Sequence, residues 1–391
     1  MKITITGAAG IQAQGVMRDL CTSPEVSEVV LADIEQKGDI LEQRSKDWGE
    51  NKTKVVFVDI NDTPALQKAI RGSAAVANCA GHFFDLPVMD ACLAEGCNYT
   101  DLGGFFHIYR QQVKRHDAWK AKGLTAVLGM GSAPGVTNVL ARYAADRLDT
   151  IEYLYLRDGI VNYAKSDFPL TIPYAVVTLI HEFSEPCYIF KDGDWVEVDP
   201  FSQPEEIDFP DPVGTMNVYA TLHSEVASVP ESFRSKGLQH MSFKLGLPVD
   251  FEKKMRFLAG IGFGSAEPLD VKGAQVSPID FFTTFSQTFP KPKGKPEDYK
   301  CLRIDAKGIK DGAVTEIQTD VMCYPCKEWD MKTGPYSVGV PVGITCRMLG
   351  KDEIEGPGCM PAEICVPPEL FFEYLAARDM HSTISIKTPI K

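Results

Sequence analysis

The sequence predicts an α/β fold, with a doubly wound parallel sheet first and an α+β segment after it. Three observations predict this. Strand and helix patterns alternate through the first 130 residues, and the strands are continuous apolar runs of the kind buried on both faces. From about Thr150 the strand-like runs alternate instead, and Asp192-Gly193 and Asp311-Gly312 separate pairs of them as hairpin turns do. Helical patterns return over 337–350 and 367–380.

The elements follow in order. "KITIT", Lys2–Thr6, is a strand, and Gly7-Ala8-Ala9-Gly10 is a tight turn. Ala13, Val16, Met17 and Leu20 then fall at helical spacing. "EVVLAD" is a strand ending at Asp33, and "KVVFVD" one ending at Asp59. Asp62, Thr63 and Pro64 open a helix, with proline in its first turn. "AAVANCAG" is a buried strand running into Gly81, followed by a helix over 88–95. "CNYTDLGG" is a short strand stopped by Gly103 and Gly104. A long helix covers 105–122, and "LTAVLGMG" is the next strand. Ser132 and Pro134 open a helix that reaches about Leu148. Residues 200–214 are proline-rich and read as an ordered surface loop, and 289–298 as a linker.

Composition narrows the function classes. The chain has 391 residues, too many for one ordinary core, so two domains are expected. Its formal charge of −13 argues against nucleic acid or an anionic membrane as partner. No apolar run approaches the roughly 18 residues of a membrane-spanning helix. No secretory leader is expected, because Ile3 already belongs to a strand. Eleven scattered cysteines fit reduced, buried thiols and a cytoplasmic location. Cys323 and Cys326 form one close pair without a second pair or histidines nearby, so no metal site is expected.

The opening turn carries the first chemistry. A dinucleotide pyrophosphate needs close backbone approach, free N–H groups and the positive end of a helix. Gly7 permits the turn, Gly10 the approach, and Ala13 close helix packing, in a G-x-x-G-x-x-A variant with Ala9 at the middle position. Asp33 ends the second strand 23 residues after Gly10, where a carboxylate accepts the ribose hydroxyls and repels a 2′-phosphate. NAD is therefore expected over NADP. The next strand ends line the same crevice with Asp59-Ile60, Asn78-Cys79-Ala80-Gly81 and Asp101-Leu102-Gly103-Gly104. A further helix start offers the N–H groups of Gly135, Val136, Thr137 and Asn138 to a carboxylate.

The ordered set "GAAGIQAQG", "LADIE", "VDINDTPAL", "NCAG", "CNYTDLGG", "GMGSAPGVTN" and "ATLHSE" resembles the saccharopine dehydrogenase family. The likeness spans nearly the whole chain and is nearest to compact members, which include lysine 6-dehydrogenases. It implies an NAD(P)-linked oxidoreductase acting at a C–N bond of an amino acid. It implies a Rossmann-type domain at 1–130 completed by C-terminal helices at 335–391. Residues 131–334 would then be an inserted α+β substrate and dimerisation domain, giving a homodimer. The cofactor positions become Gly7, Ala9, Gly10, Ile11, Gln12, Asp33, Ile34, Asp59, Ile60, Asn78 to Gly81, Leu102 and Gly103. Members acting on lysine or saccharopine carry a threonine–leucine/isoleucine–arginine–tyrosine run tied to the substrate carboxylate. Here the matching stretch is "HMSFKLGLP", 240–248, where Lys244 is the available cation.

Oxidising an amine at carbon leaves an imine, and a titratable group must move protons as water adds. Candidates are Asp101, which ends a strand at the crevice, with His223, Glu225, Tyr99 and His82. His223 and Glu225 alternate along an expected strand and so face one side. His107, His116 and His181 lie in helical patterns and are expected to be structural or solvated. Two alternatives stay open: a carboxylated-polyamine dehydrogenase of the same family, and a non-catalytic NAD-binding protein. A short-chain dehydrogenase needs Tyr-x-x-x-Lys, which occurs nowhere in the chain.

Overall fold

Apolar runs at the predicted positions form the first sheet. The structure, a computed structural model, describes residues 1–103, 105–164, 166–290 and 295–389. Gly104 and four residues of the expected linker, 291–294, fall outside the described residues. The strands in chain order are β1 (Lys2–Thr6), β2 (Glu28–Asp33), β3 (Thr53–Phe57), β4 (Ala75–Asn78), β5 (Asn98–Asp101) and β6 (Thr125–Leu128). The second segment adds β7 (Thr150–Asn162), β8 (Cys187–Lys191), β9 (Asp194–Val198), β10 (Ser202–Asp208), β11 (Thr215–Ala220) and β12 (His240–Gly246). It continues with β13 (Leu269–Val271), β14 (Ala274–Val276), β15 (Asp298–Lys310) and β16 (Ala313–Cys323). The tail supplies β17 (Gly358–Pro361) and β18 (Ser382–Lys387).

The first sheet has the order β17-β6-β5-β4-β1-β2-β3, and every pairing is parallel. Strand order reverses beside β1, so the crevice lies at the carboxyl ends of β1 and β4. The second sheet is mixed, in the order β10-β11-β12-β7-β15-β16-β18, with β8 and β9 joined through β12. Both Asp-Gly pairs sit in two-residue hairpins with positive φ at each residue: 53° and 84° at 192–193, 51° and 77° at 311–312.

Three readings are corrected. Residues 200–214 are not simply a loop, because they contain edge strand β10. Pro204 is tolerated there, and the pairing shifts register between Ser202 and Glu205. The expected helix over 105–122 is broken into Phe106–Gln112 and His116–Ala121. The tail contributes strands as well as helices: β17 extends the first sheet, and β18 pairs with β16 in the second.

The C-terminal helix Thr333–Gly350 seats on the first helix, Ala13–Thr22, through glycine contacts. A Cβ at Gly15 would lie 2.2 Å from Pro335 O, and one at Gly339 would lie 2.6 Å from the Gly15 Cα. Buried Asp19 ties the first helix to Arg347 of the C-terminal helix, accepting from its Nη1 at 3.1 Å, and also accepts from Arg378 Nε, beyond the last helix, at 2.8 Å. Among the described residues, no helix is long and apolar enough to cross a membrane.

Candidate active site

The turn after β1 is as tight as its glycines suggest. Gly7 has φ +67°, and a Cβ there would lie 2.5 Å from the Ala80 nitrogen, so backbone meets backbone. Gly10 N donates to Gly7 O at 2.9 Å. Asp33, ending β2, accepts from Ala9 N and Ile34 N, each at 2.8 Å. The N–H groups of Ile11 and Gln12, just ahead of the helix, have no acceptor among the described residues. A cradle only glycine can form, open amides at a helix start and a carboxylate one strand over fit the pyrophosphate and ribose of a nicotinamide dinucleotide.

The other strand ends divide. Cys79 and Ala80 stand half-buried against Gly7 of the turn, Gly81 is exposed, and Ile60, Leu102 and Gly103 are half-buried after their own strands. The exposed Asp59 accepts from Asn61 N and closes its own turn. Asn78 is fully buried, accepting from Thr6 Oγ1 at 2.8 Å and donating to Asp85 Oδ1 at 2.8 Å. Its side chain joins β1 to β4 and is not presented to a ligand.

Asp101 and Tyr99 do not face the crevice. Asp101 is fully buried, and burial raises its pKa against the hydrogen bonds it accepts. Its Oδ1 takes Gly129 N at 2.7 Å and Gly103 N at 2.9 Å, and its Oδ2 takes Gln112 Nε2 at 2.6 Å. It locks the turns after β5 and β6. Tyr99 shares that face of β5 and is buried against Trp119.

The amides of residues 135–137 are also occupied. Gly135 N donates to Asn138 Oδ1, Val136 N to Gly131 O, and Thr137 N to Ser132 O. The helix Val136–Ala145 caps itself, so the amides of Gly135, Val136 and Thr137 are not open to a substrate carboxylate. Thr137 joins the site by its hydroxyl instead, donating to Glu225 Oε1 at 3.1 Å.

His223 and Glu225 do come together, by a different local structure. β11 stops at Ala220; His223 lies in the following turn, and Glu225 begins the helix Glu225–Phe233. His223 Nδ1 is 2.9 Å from Glu225 Oε2, and the imidazole stacks on Phe243 with centroids 3.8 Å apart. Its Nε2 faces Glu182 Oε1 at 3.8 Å, and Tyr174 Oη donates to Glu182 Oε2. Beside them Lys300 Nζ contacts Asp158 Oδ2 at 3.0 Å and Ser132 Oγ at 3.0 Å. Asp158 Oδ1 has no hydrogen-bond partner among the described residues.

Burial and charge oppose each other here. Burial pulls the His223 pKa down, but the carboxylates of Glu225, Glu182 and Asp158 outweigh it and hold the pKa above the usual 6.5. Burial pushes Glu182 up to about 7, although His223 and Tyr174 lower it. Burial likewise raises Asp158 against the pull of Lys300. An imidazole whose pKa is held up by carboxylates, set in its tautomer by one of them and faced by another, can exchange a proton with a substrate nitrogen or water.

Lys244 is not part of this site. Phe243 stacks on His223, so period-two alternation turns Lys244 to the other face of the sheet. There it contacts Glu205 at 3.1 Å, beside Arg157. Sequence reasoning missed Glu182, Tyr174, Asp158 and Lys300; the Glu182 and Tyr174 spacing within one short stretch was the signal available. His82, after β4, meets Phe105 at 4.6 Å and His181 at 6.3 Å between ring centroids. His181 thus touches the first domain next to Glu182, and burial lowers the pKa of both histidines, His82 to about 4.

Comparison with known proteins finds similarity along nearly the whole chain. The family model for the saccharopine dehydrogenase NADP binding domain matches residues 3–127, and that for the saccharopine dehydrogenase C-terminal domain matches 131–380. A carboxyaminopropylagmatine dehydrogenase of Synechocystis sp. is 27% identical over 382 residues, covering 93% of this chain and 92% of that protein. A carboxynorspermidine synthase of Vibrio cholerae is 26% identical, covering 66% of this chain and 65% of that protein. In fold, the chain is similar to apo saccharopine dehydrogenase (L-Glu forming) from Saccharomyces cerevisiae, with TM-score 0.75, 14% identity and full coverage of both chains. It is also similar to a homospermidine synthase from Legionella pneumophila solved with NAD, with TM-score 0.70, 10% identity and coverage of 99% and 91%. With the two models together matching nearly the whole chain, it belongs to the saccharopine dehydrogenase family of NAD(P)-dependent oxidoreductases.

Proposed function

We propose that this chain makes or breaks the C–N bond of a secondary amine that joins a cationic amine to a carboxylate-bearing carbon chain. The observation that carries the reading is the buried cluster of Glu182, Glu225 and Asp158 around His223, with Lys300 as its lysine. Three carboxyl groups against one lysine and one imidazole suit a protonated amine better than an anionic substrate. The names of the similar dehydrogenase and synthase point to substrates of that carboxylated-amine type. Simple oxidation of an amino acid uses the same machinery and is separated from it by substrate.

A nicotinamide dinucleotide, when bound at the Gly7–Gln12 turn, supplies or accepts the two electrons as hydride. The protein's own residues handle the proton and the geometry. Glu225 fixes His223 Nδ1, leaving Nε2 to give a proton to, or take one from, the reacting nitrogen or its water adduct. Glu182 holds the ammonium of the substrate. Lys300, with one N–H beyond its two contacts, takes the carboxylate. Asp33 supports preference for NAD, since a second negative charge at the ribose 2′ position would meet it.

The test is turnover on a panel. Primary polyamines paired with carboxylated aldehydes are assayed for NADH and NADPH consumption, and lysine and saccharopine for the reverse. Consumption with an amine–aldehyde pair supports the reading. Dinucleotide binding without turnover on any pair in either direction would sink it in favour of a non-catalytic binder.

A further inference from the structure

The helix Gly38–Trp48, which follows β2, buries two side chains, Leu41 and Arg44. A leucine there is expected; a guanidinium only 9% exposed is not. Among the described residues no carboxylate lies within ion-pair distance of Arg44. Asp33 is near enough to act on its charge, yet directs its two oxygens to Ala9 N and Ile34 N. Arg44 Nη1 donates instead to two backbone carbonyls of the opening turn, Ala8 O at 2.6 Å and Gly10 O at 2.9 Å.

Those contacts set the polarity of the turn. Between Ala8 and Gly10 the backbone gives two carbonyls to Arg44 and one amide to Asp33. Carbonyl oxygens aimed at a phosphate would repel it; held on a guanidinium they are removed from it, and the open amides of Ile11 and Gln12 remain for the anion. A buried cation without a carboxylate partner is costly unless an anion completes it. We infer that Arg44 is a positioning residue for the dinucleotide: it holds the Ala8 and Gly10 carbonyls away from the pyrophosphate, and its charge is balanced by that pyrophosphate. This rests on reading the turn as the dinucleotide site, and it concerns the pyrophosphate shared by NAD and NADP, not the 2′-phosphate.

The experiment is titration of NAD+ and NADP+ onto the full chain, with kcat at saturating cofactor on the best substrate pair. Arg44→Met is expected to raise Kd for both dinucleotides about tenfold or more, by loss of charge-assisted contacts, with kcat changed less than about twofold. Arg44→Lys should recover most of that loss for both. Thermal melting of the apo proteins checks folding. If Arg44→Met does not fold, Arg44→Gln, which keeps a donor and drops the charge, gives the same reading. Unchanged affinity for both dinucleotides overturns the inference, and a loss confined to NADP+ overturns it in favour of a 2′-phosphate reader. If the unsubstituted protein binds neither dinucleotide, the reading of the turn itself fails, and that failure is visible before any variant is made.

Discussion

His223 Nδ1 and Glu225 Oε2 lie 2.9 Å apart in a site where the Glu225 side chain is fully buried and that of His223 is 12% exposed. Glu225 is the strongest influence holding the imidazole pKa up against burial. In the oxidative direction the neutral imidazole is the base, so the rate rises as pH increases through that raised pKa. Glu225→Gln removes the influence, and the rising limb of the pH profile is expected to move to lower pH with a lower plateau. His223→Asn should cost about 10²- to 10⁴-fold in kcat. Steady-state rates from pH 5 to 10 check both. An unmoved limb in Glu225→Gln contradicts the pairing's role.

The two lysines should separate by face. Lys244 lies on the side of β12 opposite Phe243 and His223, paired with Glu205. Lys244→Ala is expected to leave KM for the carboxylated substrate within about twofold. Lys300→Met, which takes the cation from Asp158, should raise that KM about tenfold or more and lower the melting temperature. A large KM effect from Lys244 with none from Lys300 would reverse the assignment.

The role proposed for Asp33 is at the cofactor's ribose end. Asp33→Ala should weaken NAD+ binding about tenfold and move the NAD+/NADP+ preference toward NADP+. Fluorescence titration with both dinucleotides reads it. An unchanged ratio means another group selects the cofactor.

Gly15 tests how the tail completes the first domain. A Cβ there would lie 2.2 Å from Pro335 O, so Gly15→Val must push the C-terminal helix aside. Overpacking of this kind costs about 1–3 kcal/mol. Urea unfolding should show a lower midpoint and an unfolding free energy reduced by about that amount, and a neutral result would mean that the two helices separate easily.

Much of the fold was legible because its signals are local. Apolar runs ending in Asp33, Asp59 and Asp101 mark parallel strands, and each Asp-Gly pair marks its own hairpin. What was hidden depends on distant partners. Pro204 reads as a loop until β11 is seen beside it, and β17 is four residues long and becomes a strand only against β6. The site shows the same division. The opening turn and Asp33 lie within one strand–helix–strand unit, and the Asp33–Ala9 contact follows from that unit. Glu182, His223, Asp158 and Lys300 come from four separate stretches, and the last two meet because β7 lies beside β15. Asp101 misled because a strand end can point into the protein as readily as into the crevice. Lys244 misled because its face depends on the strand's alternation relative to His223.

The central claim is hydride transfer at a carbon bonded to nitrogen. The direct measurement is reductive turnover with NADH deuterated at C4, using both stereospecifically labelled forms, and mass spectrometry of the product. The expected result is one deuterium from one of the two forms, placed on the carbon of the newly formed C–N bond. Consumption of labelled NADH with no deuterium in an amine product, or deuterium on a carbon bearing oxygen, would contradict it.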